Sequence, residues 1–180
     1  MLDDRGLIWR LKQGDKKALR EVYETYKDSL LTVATSMLHD SHAAEDVLHD
    51  VFVSFAASVR HLRIRDSLRK YLITSVLNRV RDRFRKKKMH RVELDQAEPT
   101  GSDAGGPEQA AMRHERSELL AAALARLPFE QRETIVLHLN AGLKFKEIAQ
   151  IQHIPISTVQ GRYRYGLNKL RTILNGELKT

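Results

Sequence analysis

The sequence predicts an all-α protein built as two small helical domains joined by a flexible linker, the C-terminal one containing a helix-turn-helix. Three observations carry this. Apolar residues recur at spacings of three and four along most of the chain, and nowhere do they alternate with period two for long enough to make a strand. Breakers and acids gather in one stretch, with Pro99, Gly101, Ser102, Gly105, Gly106 and Pro107 among Glu93, Asp95, Glu98, Asp103 and Glu108. Between Phe145 and Leu170, two short helical patterns meet at a corner marked by Ile154 and Pro155. The boundaries that follow are residues 1–92, a linker over 93–117, and residues 118–180.

In the first domain, Asp3 or Asp4 is placed to cap a helix whose apolar side is Leu7, Ile8 and Leu11 and which Gly14 ends. Asp15 opens a longer helix with Leu19, Val22, Tyr23, Tyr26, Leu30 and Val33 on one face and Lys17, Arg20, Glu24 and Lys27 on the other. A turn at His39-Asp40-Ser41-His42 leads to a third stripe of Val47, Leu48, Val51, Phe52, Phe55 and Val59. A fourth helix starts near Asp66 and keeps Leu68, Leu72, Val76, Val80 and Phe84 four apart, with Ile73 and Leu77 widening the stripe.

In the second domain, helicity resumes near Glu108, and Leu119, Leu120, Ala123, Leu124 and Leu127 form the packing side. Pro128 fits the first turn of the next helix, which carries Phe129, Ile135, Val136 and Leu139 and stops at Gly142. Phe145, Ile148, Ala149 and Ile151 supply the buried side of the first motif helix, and Ser157 is placed to cap the second. From there Val159, Tyr163, Leu167, Leu170 and Leu174 face inward. Thr158, Gln160, Arg162, Arg164 and Lys169 are left outward, as donors and cations suited to a major groove and its phosphates. The plainer reading of this stretch is a three-helix bundle with a basic face.

A net charge of +8 favours a polyanionic partner. The absence of cysteine excludes disulfides and thiolate chemistry and fits a reducing cytoplasm. The longest apolar stretch, Leu30 to Leu38, is interrupted by Thr32, Thr35 and Ser36 and is too short to span a bilayer, so no membrane insertion is expected, and the acidic start Met1-Leu2-Asp3-Asp4 does not read as a secretory signal. From Arg60 to Arg91 there are thirteen Arg or Lys residues against Asp66 and Asp82. By composition such a run is a solvated face. Here, however, the cations share a helix with an unbroken apolar stripe, so folding lines up Arg69, Arg79, Arg83 and Lys86, with Tyr71 and Asn78 among them. An aromatic ring and an amide beside phosphate-binding cations are what single-strand capture uses.

With these residues in view, the chain resembles the bacterial RNA polymerase sigma factors of the extracytoplasmic-function group, within the sigma-70 family. Ala44-Glu45-Asp46-Val47-Leu48-His49-Asp50-Val51-Phe52 is similar to the segment that grips the clamp helices of the polymerase's largest subunit. Tyr71-Leu72 through Asn78, Asp82 and Arg85 is similar to the stretch that engages the minus-ten element. Leu127-Pro128 through Glu133, then Glu147-Ile148-Ala149 through Thr158-Val159-Gln160-Gly161-Arg162, look like the unit that reads the minus-thirty-five element. The resemblance implies binding to core RNA polymerase through Asp46, His49, Asp50, Phe52 and Val53. It implies capture of the minus-ten non-template single strand by His61, Arg63, Arg65, Tyr71, Asn78, Arg79 and Arg83, and contact with the minus-thirty-five duplex by Lys144, Lys146, Ser157, Thr158, Gln160, Arg162, Arg164 and Lys169. It also implies an anti-sigma protein as partner, no cofactor, and no catalysis by this chain.

Four positions depart from the family pattern. His49 stands for the usual glutamine, Tyr71 for the usual tryptophan, and Lys144 where a Ser or Thr normally caps the first motif helix. Gly161 interrupts the recognition helix at a cost of about 1 kcal/mol relative to alanine. Rival readings are a stand-alone dimeric helix-turn-helix regulator, which leaves the first domain unexplained, and an enzyme acting on nucleic acid, for which there is no Gly-rich phosphate loop and no nucleophile motif. His39, His42 and His49 flank a turn, with no cysteine to complete a metal site.

Overall fold

The computed structural model describes residues 4–62, 64, 67–93 and 118–177. Residues 94–117 of the expected 93–117 linker, the resumption of helicity near Glu108, Arg63, Arg65, Asp66 and the last three residues of the tail lie outside them, while Glu93 closes α4. Among the described residues every regular element is a helix: α1 (Asp4–Lys12), α2 (Lys16–Leu38), α3 (Ser41–Ser58), α4 (Leu68–Glu93), α5 (residues 118–125), α6 (Phe129–Leu139), α7 (Phe145–Gln152) and α8 (Ile156–Glu177). They group into two compact units, residues 4–34 with 42–93, and residues 35–41 with 118–177.

In the first unit, α1 buries Leu7 and Leu11 and gives way at Gly14, whose φ of 80° is the left-handed conformation glycine adopts without a Cβ penalty. Asp15 caps α2 as expected: its Oδ1 accepts the amide of Lys17 at 2.8 Å. The α2 stripe is rotated from the expected one. Ala18, Val22, Tyr26, Leu30 and Val33 are buried, while Leu19 is only half-buried and Tyr23 is 40% exposed, both turned toward α3. His39, in the left-handed region at φ 55°, ends α2 with its amide on the Thr35 carbonyl.

Helix α3 buries Ala44, Val47, Leu48, Val51, Phe52 and Phe55, the expected stripe extended by one small residue. Helix α4 begins two residues after Asp66, with Ser67 as its cap: the Ser67 hydroxyl accepts the Lys70 amide at 3.2 Å. Leu68, Leu72, Ile73, Val76, Leu77 and Val80 are buried, and Phe84 is half-buried. A long-range bond supplements the local cap. Asp4 Oδ2 of α1 accepts the amide of Leu68 at 3.1 Å, supplying one of the first-turn amides of α4 with a carboxylate.

In the second unit, Ala123, Leu124, Leu127, Ile135 and Leu170 form the core, with Tyr163, Leu167, Ile173 and Leu174 packed against it. Two residues expected in the packing side are exposed, Leu120 at 44% and Leu139 at 57%; Leu137, two positions before Leu139, is buried instead. Pro128 sits at the cap of α6 rather than inside its first turn, and its carbonyl accepts the amides of Gln131 and Arg132 at 3.0 Å. Arg132 Nη2 donates to the carbonyls of Ala125 and Leu127, tying the end of α5 to α6.

Candidate nucleic-acid interface

Three helices build the helix-turn-helix. Ile148, Ala149 and Ile151 are buried on α7, as their spacing requires, and Phe145 is half-buried. The corner is made by His153, left-handed at φ 56°, which lets the Ile154 amide reach back to the Ala149 carbonyl at 3.1 Å. Pro155, not Ser157, occupies the capping position of α8: its carbonyl accepts the amides of Thr158 and Val159, and Ser157 lies within the first turn. The expected serine cap is corrected accordingly. At the start of α7 the resemblance also expected a lost cap. Lys144 has no acceptor on its ammonium to give an amide, but Glu147 Oε2 accepts the Lys144 amide at 2.8 Å, so half of a reciprocal capping box survives.

An aromatic cluster locks the three helices. His138 stacks on Phe145 with ring centroids 4.5 Å apart, and Tyr163 meets both edge-on at 5.0 and 5.2 Å. His138 Nδ1 lies 2.8 Å from the Leu143 carbonyl, which fixes the proton on that nitrogen in the neutral ring. Outward from this frame, Lys144, Lys146, Ser157, Thr158, Gln160, Arg164 and Lys169 are exposed, with the Arg164 guanidinium 5.1 Å from the centre of the Tyr165 ring. Arg162 differs. It is half-buried, and its Nη1 donates to Gln152 Oε1 at 3.1 Å. Gln152 in turn donates through Nε2 to Glu133 Oε2 at 3.0 Å and to Thr134 Oγ1 at 3.2 Å. Spacing alone does not find this network, although a glutamine where the apolar side of α7 should continue is its one visible trace.

The cationic helix α4 presents Asn78 and Arg79 exposed and Tyr71 and Arg83 half-buried. The Tyr71 ring packs tilted on Phe55, centroids 5.9 Å apart, so only part of its face is open for a base. Asn78 Oδ1 accepts from Arg81, Arg79 Nη2 donates to Ser54 Oγ at 2.9 Å, and Arg83 pairs with Asp46 at 3.2 Å. His61 is exposed in the turn after α3. On α3, Asp46, His49, Asp50 and Val53 are exposed, Val53 by 54%, whereas Phe52 is buried and meets Tyr23 edge-on at 4.9 Å. Between α2 and α3 runs a groove of about 730 Å³ walled by Leu19, Tyr23, Leu31, Leu48, Phe52 and Val53, with Lys27, Glu45 and His49 among its polar lining. Of the residues expected to serve polymerase, His49, Phe52 and Val53 line this groove, whereas Asp46 turns toward α4 through Arg83 and Asp50 lies outside the lining. Among the described residues no group of three or more His, Cys, Asp or Glu could hold a metal ion, and no helix is long and apolar enough to cross a membrane.

Comparison with known proteins agrees with this geometry. Residues 22–89 match sigma-70 region 2, and residues 117–170 match sigma-70 region 4. The chain is similar to the extracytoplasmic-function RNA polymerase sigma factor SigW of Bacillus subtilis, 29% identical over 173 residues that cover 91% of this chain and 92% of SigW. Its fold is similar to that of CnrH, solved in complex with the cytosolic domain of CnrY, at TM-score 0.73 and 23% identity over 96% of this chain and 97% of that one. It is likewise similar to the sigma factor RpoE of Bartonella quintana, solved with the anti-sigma factor NepR, at TM-score 0.69 and 20% identity over 88% and 98%. With region 2 on the helices that carry the groove and the cationic face, and region 4 on the helix-turn-helix, the chain belongs to the sigma-70 family of RNA polymerase sigma factors, in its extracytoplasmic-function group.

Proposed function

We propose the following division of labour for this sigma factor, which binds core RNA polymerase, directs it to specific promoters and promotes their opening. Asp46, His49, Asp50 and Val53, with the groove beside them and Phe52 forming its floor, take a helical element of the polymerase. The apolar walls supply burial and the charged rim supplies register. His61, Arg63, Arg65, Tyr71, Asn78, Arg79 and Arg83 hold the opened non-template strand at the minus-ten element, the arginines on phosphates and Tyr71 and Asn78 on an unstacked base. Lys144, Lys146, Ser157, Thr158, Gln160, Arg162, Arg164 and Lys169 meet the upstream duplex, with α8 in the major groove. Residues 1–92 form the first working domain, 93–117 the tether and 118–180 the second.

The observation that carries the reading is the exposure, on one side of α8, of donors and cations in a chain whose other unit carries a separate cationic helix. A duplex reader and a strand holder on one tether are what promoter opening needs, and the chemistry stays with the polymerase. The chain works in the cytoplasm, where the polymerase and promoter are. An anti-sigma protein is its second partner, a reading supported by the RpoE–NepR complex. Purified chain added to core polymerase and promoter templates should produce new, defined transcript starts; Val53→Asp should abolish them by weakening core binding, and Asn78→Ala should spare core binding but impair opening. Unaltered start-site choice would refute the reading.

A further inference from the structure

We infer that Gln152 is a positioning residue for Arg162, and that the two together set a base preference in the upstream duplex; this rests on the reading of α8 as the helix in the major groove. Gln152 closes α7, where the apolar side of Ile148 and Ile151 would otherwise continue. A half-buried amide there must be hydrogen-bonded or bear the cost of desolvation. Its bonds also fix its direction. The Arg162 guanidinium can only donate, so it takes the amide oxygen at 3.1 Å and leaves the NH₂ end to donate to Glu133 Oε2 at 3.0 Å. Reversing the amide would set its NH₂ against the guanidinium, donor against donor.

The anchor of this chain is deep: Glu133, on α6, is 3% exposed. A buried carboxyl, an amide of fixed direction and a cation therefore run from α6 through the end of α7 to α8. An arginine has several rotatable bonds and, left alone, samples many rotamers. Here Nη1 is held, while Nε and Nη2 carry no partner among the described residues on a side chain that remains partly open to solvent. A guanidinium fork held at one nitrogen is pre-organised for two-point recognition of a base edge, such as O6 and N7 of guanine. Arg164, lying over Tyr165, and the exposed Lys169 have no such anchor and suit phosphates.

The test uses holoenzyme assembled from core polymerase and the full chain, transcribing templates whose upstream element is randomised. Arg162→Ala should flatten selection at one or two base positions by about tenfold or more. Gln152→Leu, similar in size and apolar, should flatten the same positions while leaving core binding near wild type. The double variant should lose no more than either single one. Glu133→Gln, which keeps a hydrogen-bonding group of the same size but lets the amide reverse, gives a second route to the same outcome should Gln152→Leu fold poorly. Wild-type preferences in the Gln152 and Glu133 variants overturn the inference, as do losses at positions other than those of Arg162→Ala. An equal loss on all templates for Arg162→Ala also overturns it, by assigning Arg162 to a phosphate. Failure of the wild-type chain to select any upstream sequence would instead refute the underlying reading of α8.

Discussion

The guanidinium of Arg83 lies 3.2 Å from the carboxylate of Asp46, so a side chain proposed for the minus-ten strand and one proposed for the polymerase neutralise each other across α3 and α4. Arg79, one turn earlier on α4, reaches the same helix through the Ser54 hydroxyl at 2.9 Å. With side-chain exposures of 38% and 70%, Arg83 and Asp46 form a surface pair worth at most about 1 kcal/mol. Its consequence is less for stability than for availability. Whatever takes hold of Asp46 releases a cation on the helix proposed to hold the minus-ten strand.

Asp46→Asn should therefore tighten binding of the free chain to single-stranded DNA. The slope of log affinity against log salt should steepen by about 0.7, because the released guanidinium neutralises one more phosphate. Arg83→Ala should shift the slope the other way, and the stability measured by urea unfolding should move by no more than about 1 kcal/mol in either variant. Fluorescence anisotropy of a labelled oligonucleotide across a salt series measures both slopes. Equal slopes in all three proteins would remove Arg83 from the strand contact.

Two glycines of α8 should respond in opposite directions to the same substitution. A Cβ at Gly161 meets no atom within 4 Å, so Gly161→Ala should stabilise the fold by about 1 kcal/mol through helix propensity. A Cβ at Gly166 falls 2.8 Å from Ile135 Cδ1 and 3.2 Å from Gln131 Cβ, so α8 could keep its place on α6 only by displacing both. Gly166→Ala should cost about 1–3 kcal/mol from overpacking, less the propensity gain. Denaturant unfolding of each variant is the check, and a destabilised Gly161→Ala would show that the outer side of α8 is crowded rather than open.

The pattern of the sequence exposes the stripes of α3, α4 and α8 because each has one buried side and one wet side, which periodicity reports directly. It misplaces Tyr23, an aromatic at core spacing that instead stands at the groove, edge-on to Phe52. It misplaces the cap of α8 because serine is the better capping residue, yet the chain turns earlier than that preference suggests and the Pro155 carbonyl takes the first amides. The contacts that define the site are separated by 37 positions for Asp46 and Arg83, 19 for Glu133 and Gln152, and 64 for Asp4 and Leu68. They depend on how helices cross, which spacing along one helix does not encode.

Asp4 gives that long-range contact a measurable value. Its carboxylate serves the first turn of α4, the helix whose cations are proposed to hold the strand, and it also sits beside the buried Tyr26. Asp4→Ala should cost about 0.5–2 kcal/mol, the usual loss of a helix cap. Amide hydrogen exchange should rise first in the opening turn of α4, and exchange rising uniformly over the first unit would indicate a global rather than a capping effect.

Asp15 supplies the pH dependence. Its carboxyl is held below the ordinary value of 3.8, first by the Arg10 Nε hydrogen bond at 2.9 Å and then by the Lys17 amide. Arg10 also donates to Glu21 at 2.9 Å, so the same guanidinium fastens α1 to α2. A carboxylate with a depressed folded-state pKa contributes its stability above the unfolded-state value and loses it as pH falls through the folded-state value. Asparagine caps a helix as well as aspartate does, so Asp15→Asn removes the charge and leaves the cap. The wild type should unfold at higher denaturant than Asp15→Asn at neutral pH. The gap should hold constant down to the ordinary carboxylate range, narrow below 3.8 and then close. Added salt should shrink it at neutral pH, because both partners are partly open to solvent and so screened. A gap that widened on acidification would mean that the ion pair with Arg10 is not what holds this carboxyl down.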